Sequence, residues 1–201
     1  MYSSHPHFIL GFHGCDRSLA EDVLLARRRL RSSENTYDWL GHGIYFWENS
    51  PARALDYARA IQKHPGRCTE NIQEPFVIGA IVDLGRCLDL IDPMNLALVR
   101  QGYELLKASG TTLPRNTSID RQGDLLLRKL DCAVIETVHA YNDKRGSPPF
   151  DSVRGMFWEG QALYQNAGFR EKNHIQVCVR NPNCIKGYFA VLTPVEGWCV
   201  P

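Results

Sequence analysis

Two short segments rich in apolar residues and punctuated by glycine constrain this chain most: His7-Phe8-Ile9-Leu10-Gly11-Phe12-His13-Gly14, and Gly41-His42-Gly43-Ile44-Tyr45-Phe46-Trp47. Both are too short for a helix and too apolar and aromatic for a surface turn, so each predicts a buried strand. Each is also followed by a stretch that starts like a helix. After the first, Ser18 stands three residues before Glu21, the capping-box spacing, and predicts a helix over Ser18–Ala26. Arg27, Arg28, Arg29 and Arg31 follow as cations suited to the negative end of its dipole. After the second, Ser50-Pro51 predicts a helix running to about Gln62, since serine caps and proline is tolerated in the first turn; Pro65-Gly66 stops it.

Downstream, the pattern predicts strands over Pro75–Leu84 and Cys87–Ile91, a helix over Pro93–Ala108 and a loop over Gly110–Ser118. A helix over Asp120–Leu130 and a strand over Asp131–Val138 come next. A loop rich in Gly, Pro and Asp covers Ala140–Ser152, and late strands cover Ile175–Val179 and Tyr188–Leu192. Strands and helices are interspersed without regular β-α-β alternation, which places the chain in the α+β class. No repeat, low-complexity tract or long linker divides its 201 residues, a length that supports one domain without metal or disulfide staples.

The 23 basic and 22 acidic residues nearly cancel, which excludes a global field drawing the protein onto nucleic acid or a charged membrane; nucleic-acid binding would have to be local. The seven cysteines, at 15, 68, 87, 132, 178, 184 and 199, form no C-x-x-C pair and mostly sit in apolar runs. They predict reduced thiols in the cytoplasm rather than a secreted framework or a zinc site. The N-terminal residues lack a signal-peptide pattern, and no run approaches 18 apolar residues, so no membrane partner is expected.

The two opening segments, in this order, resemble the NAD-binding half of ADP-ribosyltransferases of the poly(ADP-ribose) polymerase or diphtheria-toxin-like branch. That branch carries His-Gly on one strand, Gly-x-Gly-Ile-Tyr-Phe on the next and a second tyrosine about a dozen residues on, here Tyr57. The resemblance implies one catalytic domain over residues 1–201, with split mixed and antiparallel β-sheets flanked by helices around an NAD cleft. It implies His13 as the ribose anchor, Tyr45 and Tyr57 as stacking rings, and Gly14 as the point where backbone meets the nicotinamide carboxamide without an intervening Cβ. Cys15 stands where the family usually has serine or threonine, and Ala54 where it often has serine; each change removes a hydrogen bond to the substrate.

The third family element is a glutamate on a late strand, and the matching stretch here, Lys172–Val179, contains none. Gln176 is the candidate in its place, with Ile175 the alternative if the register slips by one; His174 shares the face of Gln176. Glu159, in the loop ahead of that strand, is the candidate general base, with Glu171 also available. The missing glutamate argues against long poly(ADP-ribose) chains, and the absence of a late-strand Glu-x-Glu pair argues against arginine modification. The paired His and Arg signature of RNA 2′-phosphotransferases is likewise not visible.

The resemblance thus implies a mono-ADP-ribosyltransferase that uses NAD, without metal, on a macromolecular acceptor, RNA, DNA or protein. Compact units of this kind resemble toxins of conflict systems, including toxin–antitoxin and phage-defence modules, which implies an antitoxin or inhibitor as a further partner. Arg27–Arg31, Arg145, Arg154 and Arg170 are candidates for phosphate contacts. The other expectation is a module that binds NAD or ADP-ribose and has lost transfer.

Overall fold

The first apolar segment forms β1 (Phe8–Asp16) in a computed structural model that describes residues 8–65, 71–118, 124–193 and 196–197. Asp16 ends the strand and caps helix α1 (Arg17–Leu24), its carboxylate accepting from the Ser18 amide. The cap therefore lies two residues ahead of the expected Ser18. Helix α1 is also shorter than predicted: Leu25 closes it and Ala26 takes a positive φ of 57°. Arg27, Arg28, Arg29 and Arg31 lie beyond the helix, so their expected role at its dipole is not realised.

The second segment forms β2 (Ile44–Glu48), followed by α2 (Pro51–Lys63), which Ser50 caps through the Arg53 amide. Gly66, half of the expected helix stop, lies outside the described residues. Strands β3 (Pro75–Asp83) and β4 (Cys87–Asp89) and helix α3 (Pro93–Ala108) fall where the pattern predicts them. A two-stranded ribbon pairs β5 (Asn116–Thr117) with β6 (Leu127–Arg128).

The next element departs from expectation. Residues 131–138, predicted as a strand, lie in helix α4 (Lys129–Lys144); of the predicted helix over 120–130, residues 124–126 are irregular, 127–128 form β6 and 129–130 open α4, with 119–123 outside the described residues. Four consecutive apolar residues, Cys132 to Ile135, fit either structure by periodicity. The buried set Cys132, Ile135 and His139, with Val134 and Val138, carries helical spacing and decides the element. Strand β7 (Ser152–Phe157) occupies a stretch without a predicted strand, since Arg154 and Gly155 interrupt its apolar pattern. Strands β8 (His174–Val179) and β9 (Ile185–Ala190) close the order, β9 beginning three residues before the predicted start.

Seven strands form one mixed sheet in the order β4-β7-β8-β2-β1-β3-β9, with β4 and β7 parallel and the other pairs antiparallel. The observed class is α+β, a mixed sheet with four helices. In place of two split sheets there is a single sheet with a thin seam. β1 pairs along its full length with β3, yet with β2 only at Gly11↔Glu48 and Phe12↔Trp47. Beyond Phe12 the two strands separate, opening a fork between His13-Gly14 and Ile44–Phe46.

Strand alternation sorts the side chains on either side of this seam. On one face Cys15, Phe46, Ile78 and Val177 pack with Leu19, Ala20 and Val23 of α1. On the other, Phe12, Trp47 and Val77 pack on Ala54 of α2, while Cys178 and Val153 join Ile135 and Val138 of α4. A Cβ on Gly14 would overlap the Ala54 carbonyl, so glycine here lets α2 lie directly on β1. Among the described residues Cys87, Cys132, Cys178 and Cys184 are free thiols; Cys68 and Cys199 fall outside them. No helix among the described residues is long and apolar enough to cross a membrane.

Candidate functional site

The two motifs meet at the fork through backbone rather than through paired side chains. His13 Nδ1 lies 2.8 Å from the Tyr45 carbonyl oxygen, which only accepts, so the ring nitrogen carries the hydrogen. The imidazole thus lies across the opening where β1 and β2 part, with its ring edge toward Phe46 at 5.9 Å between centroids. By alternation His13 belongs to the α1 face of the sheet, whereas Tyr45, Trp47 and Gln176 belong to the other. The expected His-Tyr-Gln set therefore does not converge as three side chains on one face.

Tyr45 is half-buried, and its hydroxyl is engaged within the fold. Its hydroxyl donates to the Gly41 carbonyl at 2.7 Å and accepts from the Leu40 amide at 2.8 Å, and its ring packs on the cluster containing Leu40 and Cys178. Burial raises the hydroxyl well above its ordinary range. Glu136 of α4 holds the same turn from outside, accepting from the His42 amide at 2.8 Å. Tyr45 is thus the internal strut of the Asp38–Gly43 turn that leads into β2.

Cys15 and Ala54 are buried in the two cores, which leaves neither side chain exposed to a cofactor. The packing of α2 is a sufficient reason for Gly14 to be glycine. Tyr57 is partly exposed, and its ring lies 5.0 Å from the indole of Trp47. The two rings meet at a tilt of 42°, so part of the Tyr57 ring is covered from β2.

Around that pair the sheet gathers a polar cluster whose members only partly appear in the sequence pattern. Gln176, 9% exposed, stands opposite Trp47 in the β2–β8 register. Two residues away on the same strand, His174 is buried, its Nδ1 donating to the Lys172 carbonyl at 2.7 Å. Glu159 reaches in from the loop after β7: its carboxylate lies 3.1 Å from Arg53 Nη2 and 3.6 Å from His174 Nδ1. The His174 Nε2, Trp47 Nε1 and Arg53 Nε atoms are buried with no hydrogen-bond partner. Such buried unpaired groups are uncommon and mark places where a small polar molecule or a water fits.

The electrostatics of this cluster follow from burial. Glu159 is raised above the ordinary carboxylate value because desolvation outweighs the opposing pull of Arg53 and Lys172. Desolvation also lowers His174 to about 4, with Arg53 and Arg128 acting in the same direction, so the ring is neutral at physiological pH. A neutral imidazole donating from Nδ1 presents Nε2 as an acceptor. Arg53, Trp47 and His174 are the members that sequence reasoning missed as site residues. The signals in the sequence were that His174 shares the face of Gln176, that Trp47 ends the second motif and that Arg53 lies between Ser50 and Tyr57 in the first turn of α2.

The arginines proposed for phosphate contacts have separate fates. Arg154 is consumed by Glu48, at 2.6 and 3.1 Å, and by Asp89 at 3.0 Å, a half-buried network that ties β7 to β2 and β4. Arg145 donates to the Tyr141 hydroxyl at 3.0 Å. Arg170 is paired with Asp124 at 3.0 Å but remains substantially exposed.

A comparison with protein-family models finds no match to this chain. It is 28% identical over 191 residues to Uncharacterized protein MJ0359 of Methanocaldococcus jannaschii, an alignment covering 87% of this chain and 83% of that one.

Proposed function

We propose that the chain is an NAD-dependent mono-ADP-ribosyltransferase acting on a macromolecular acceptor. One observation carries the reading: the His13-Gly14 and Gly41–Trp47 segments, thirty residues apart in sequence, border one opening at the β1–β2 fork, bridged by His13 and the Tyr45 carbonyl. In this reading NAD lies on the face of Tyr57 and Gln176, with Tyr57 at the nicotinamide end, and His13 positions the fork from the opposite face through the Tyr45 carbonyl. Gln176 bonds a ribose hydroxyl, and Glu159 takes the proton from the acceptor. The bond between ribose C1′ and nicotinamide nitrogen breaks, nicotinamide leaves with that electron pair, and C1′ forms its new bond to the acceptor atom. Cleavage develops positive charge on the ribose, which a nearby carboxylate stabilises.

A second reading, a module that binds NAD or ADP-ribose without transfer, is favoured by one feature. Trp47 already packs against the Tyr57 ring at a tilt of 42°, so part of that ring is covered by the protein's own indole. Incubation with NAD labelled in the adenylate, offered cell protein and RNA separately, tests both. Label that stays on a macromolecule with release of nicotinamide supports transfer. Saturable retention of NAD with neither outcome supports the binding module, and no interaction with NAD overturns both.

A further inference from the structure

Beside the Glu159 cluster lies a surface cleft of about 450 Å³ lined by Asp124, Leu125, Arg128, Met156, Phe157, Trp158 and Arg170. Its chemistry is that of a stacking site with cations at its border. Trp158, next to Glu159 in the chain, is 56% exposed, an unusual position for so large an apolar ring. The Arg128 guanidinium lies over the rings of Trp39 and Phe157, 4.3 and 5.0 Å from their centroids, and its Nε is buried without a hydrogen-bond partner. Its Nη1 pairs with Asp131 at 3.4 Å, an i,i+3 pair in which the Arg128 side chain is 22% exposed, so that acid and the two rings hold the guanidinium in place on the cleft wall.

Arg170 adds a second cation at the border. Its partner Asp124 is engaged elsewhere as well, accepting from the Gly160 amide at 2.8 Å and so holding the loop that carries Trp158. That loop folds back on itself: Glu159 accepts from Lys172, Gln161 from Glu171 and Phe169 from Leu163. The resulting arm exposes Leu163, Tyr164 and Phe169 in addition to Trp158. Exposed aromatic rings beside arginines, on a protein with no net field, suit a ligand that stacks flat rings and carries charge at intervals.

We propose that this cleft binds single-stranded nucleic acid, a base stacking on Trp158 while Arg128 and Arg170 take the flanking phosphates. The inference rests on the proposed transferase and names its acceptor class, since Glu159 adjoins Trp158 and leads back to the His174 and Gln176 cluster. With only two phosphate contacts and one stacked base, the salt dependence is shallow: a slope of roughly −1.4 in log K against log salt, at about 0.7 per phosphate for single strands.

The test is fluorescence anisotropy of end-labelled single-stranded RNA and DNA of mixed sequence, titrated with the whole protein without NAD. The expected result is binding weakened roughly tenfold by Trp158→Ala, weakened with a shallower salt slope by Arg170→Gln, and much poorer for the matching duplexes. Trp158 is exposed, so its removal leaves the fold intact by circular dichroism; Trp158→Phe retains most of the binding. No binding to any single strand at low salt, or binding untouched by Trp158→Ala, overturns the proposal. The NAD-labelling experiment separates the two failures. Label on protein with no oligonucleotide binding removes this inference and leaves the transferase standing, whereas oligonucleotide binding without label transfer does the reverse.

Discussion

Tyr45 is held by its ring and by both sides of its hydroxyl, and this changes what its substitution means. Were Tyr45 only a stacking ring, as the resemblance implies, Tyr45→Ala would spare the fold. The structure predicts instead that Tyr45→Phe, which strips two hydrogen bonds from the Asp38–Gly43 turn, costs about 1–3 kcal/mol. Tyr45→Ala costs more, on the order of 3–5 kcal/mol, because it also leaves a cavity beside Leu40 and Cys178. Denaturant unfolding of both variants measures this, and equal stability of all three proteins would contradict it. Glu159 and Gln176 separate by pH. A general base works only ionised, and burial raises Glu159, so the transfer rate falls as pH drops through a midpoint above the ordinary glutamate value. Glu159→Gln then loses nearly all transfer. Gln176→Ala lowers the rate with the acid limb unchanged, because an amide does not titrate. A wild-type rate that is flat through mildly acid pH removes Glu159 from the role of base.

Among the elements, the ones legible in the sequence were those with a clear boundary signal or an unmixed apolar pattern. Ser50-Pro51 started α2, Pro93 started α3 behind the Asp92 cap, and β1, β2, β3 and β8 are dense apolar runs. Helix α4 was not legible because its first amides are capped from afar, by Asn116, and its apolar run is contiguous; its helical spacing shows only once burial is known. Strand β7 was hidden because Arg154 sits in it, and the two acids that make this arginine tolerable, Glu48 and Asp89, are distant in sequence. Half of the candidate site shared that fate: the pairing of Arg53 with Glu159 spans 106 positions and has no local signature. Gly14 carries a prediction at this scale. Gly14→Ala pushes α2 off β1, since the obstacle is the Ala54 carbonyl rather than a flexible side chain. The melting temperature should fall by several degrees or more for a penalty of about 1–3 kcal/mol, a value typical of overpacking. An unchanged melting temperature would show that α2 yields freely.

The stability of the molecule as a whole should depend on pH through two buried imidazoles. His139 on α4 is buried with neither ring nitrogen bonded, and desolvation lowers it to about 3; His174 is lowered to about 4. In the unfolded chain both take a proton near the ordinary histidine value of about 6.5. Their contribution is therefore complete above that value and drains away as pH falls toward 4 and then 3, where the unfolded state alone is protonated. His139→Leu should flatten the loss of stability between those limits, as measured by urea midpoints at stepped pH; an identical pH profile in the variant would clear His139 of the effect. The seam between β1 and β2 has a last consequence, for how the protein is made. Strand β2 owes only two residue pairs to its near neighbour β1 and four to β8, more than 120 residues downstream. At translation speeds of about 5–20 residues per second, its outer edge waits on the order of ten seconds for a partner. During that interval Ile44, Tyr45, Phe46 and Trp47 are an apolar stretch without its main strand partner, a liability to mispairing that the finished sheet removes.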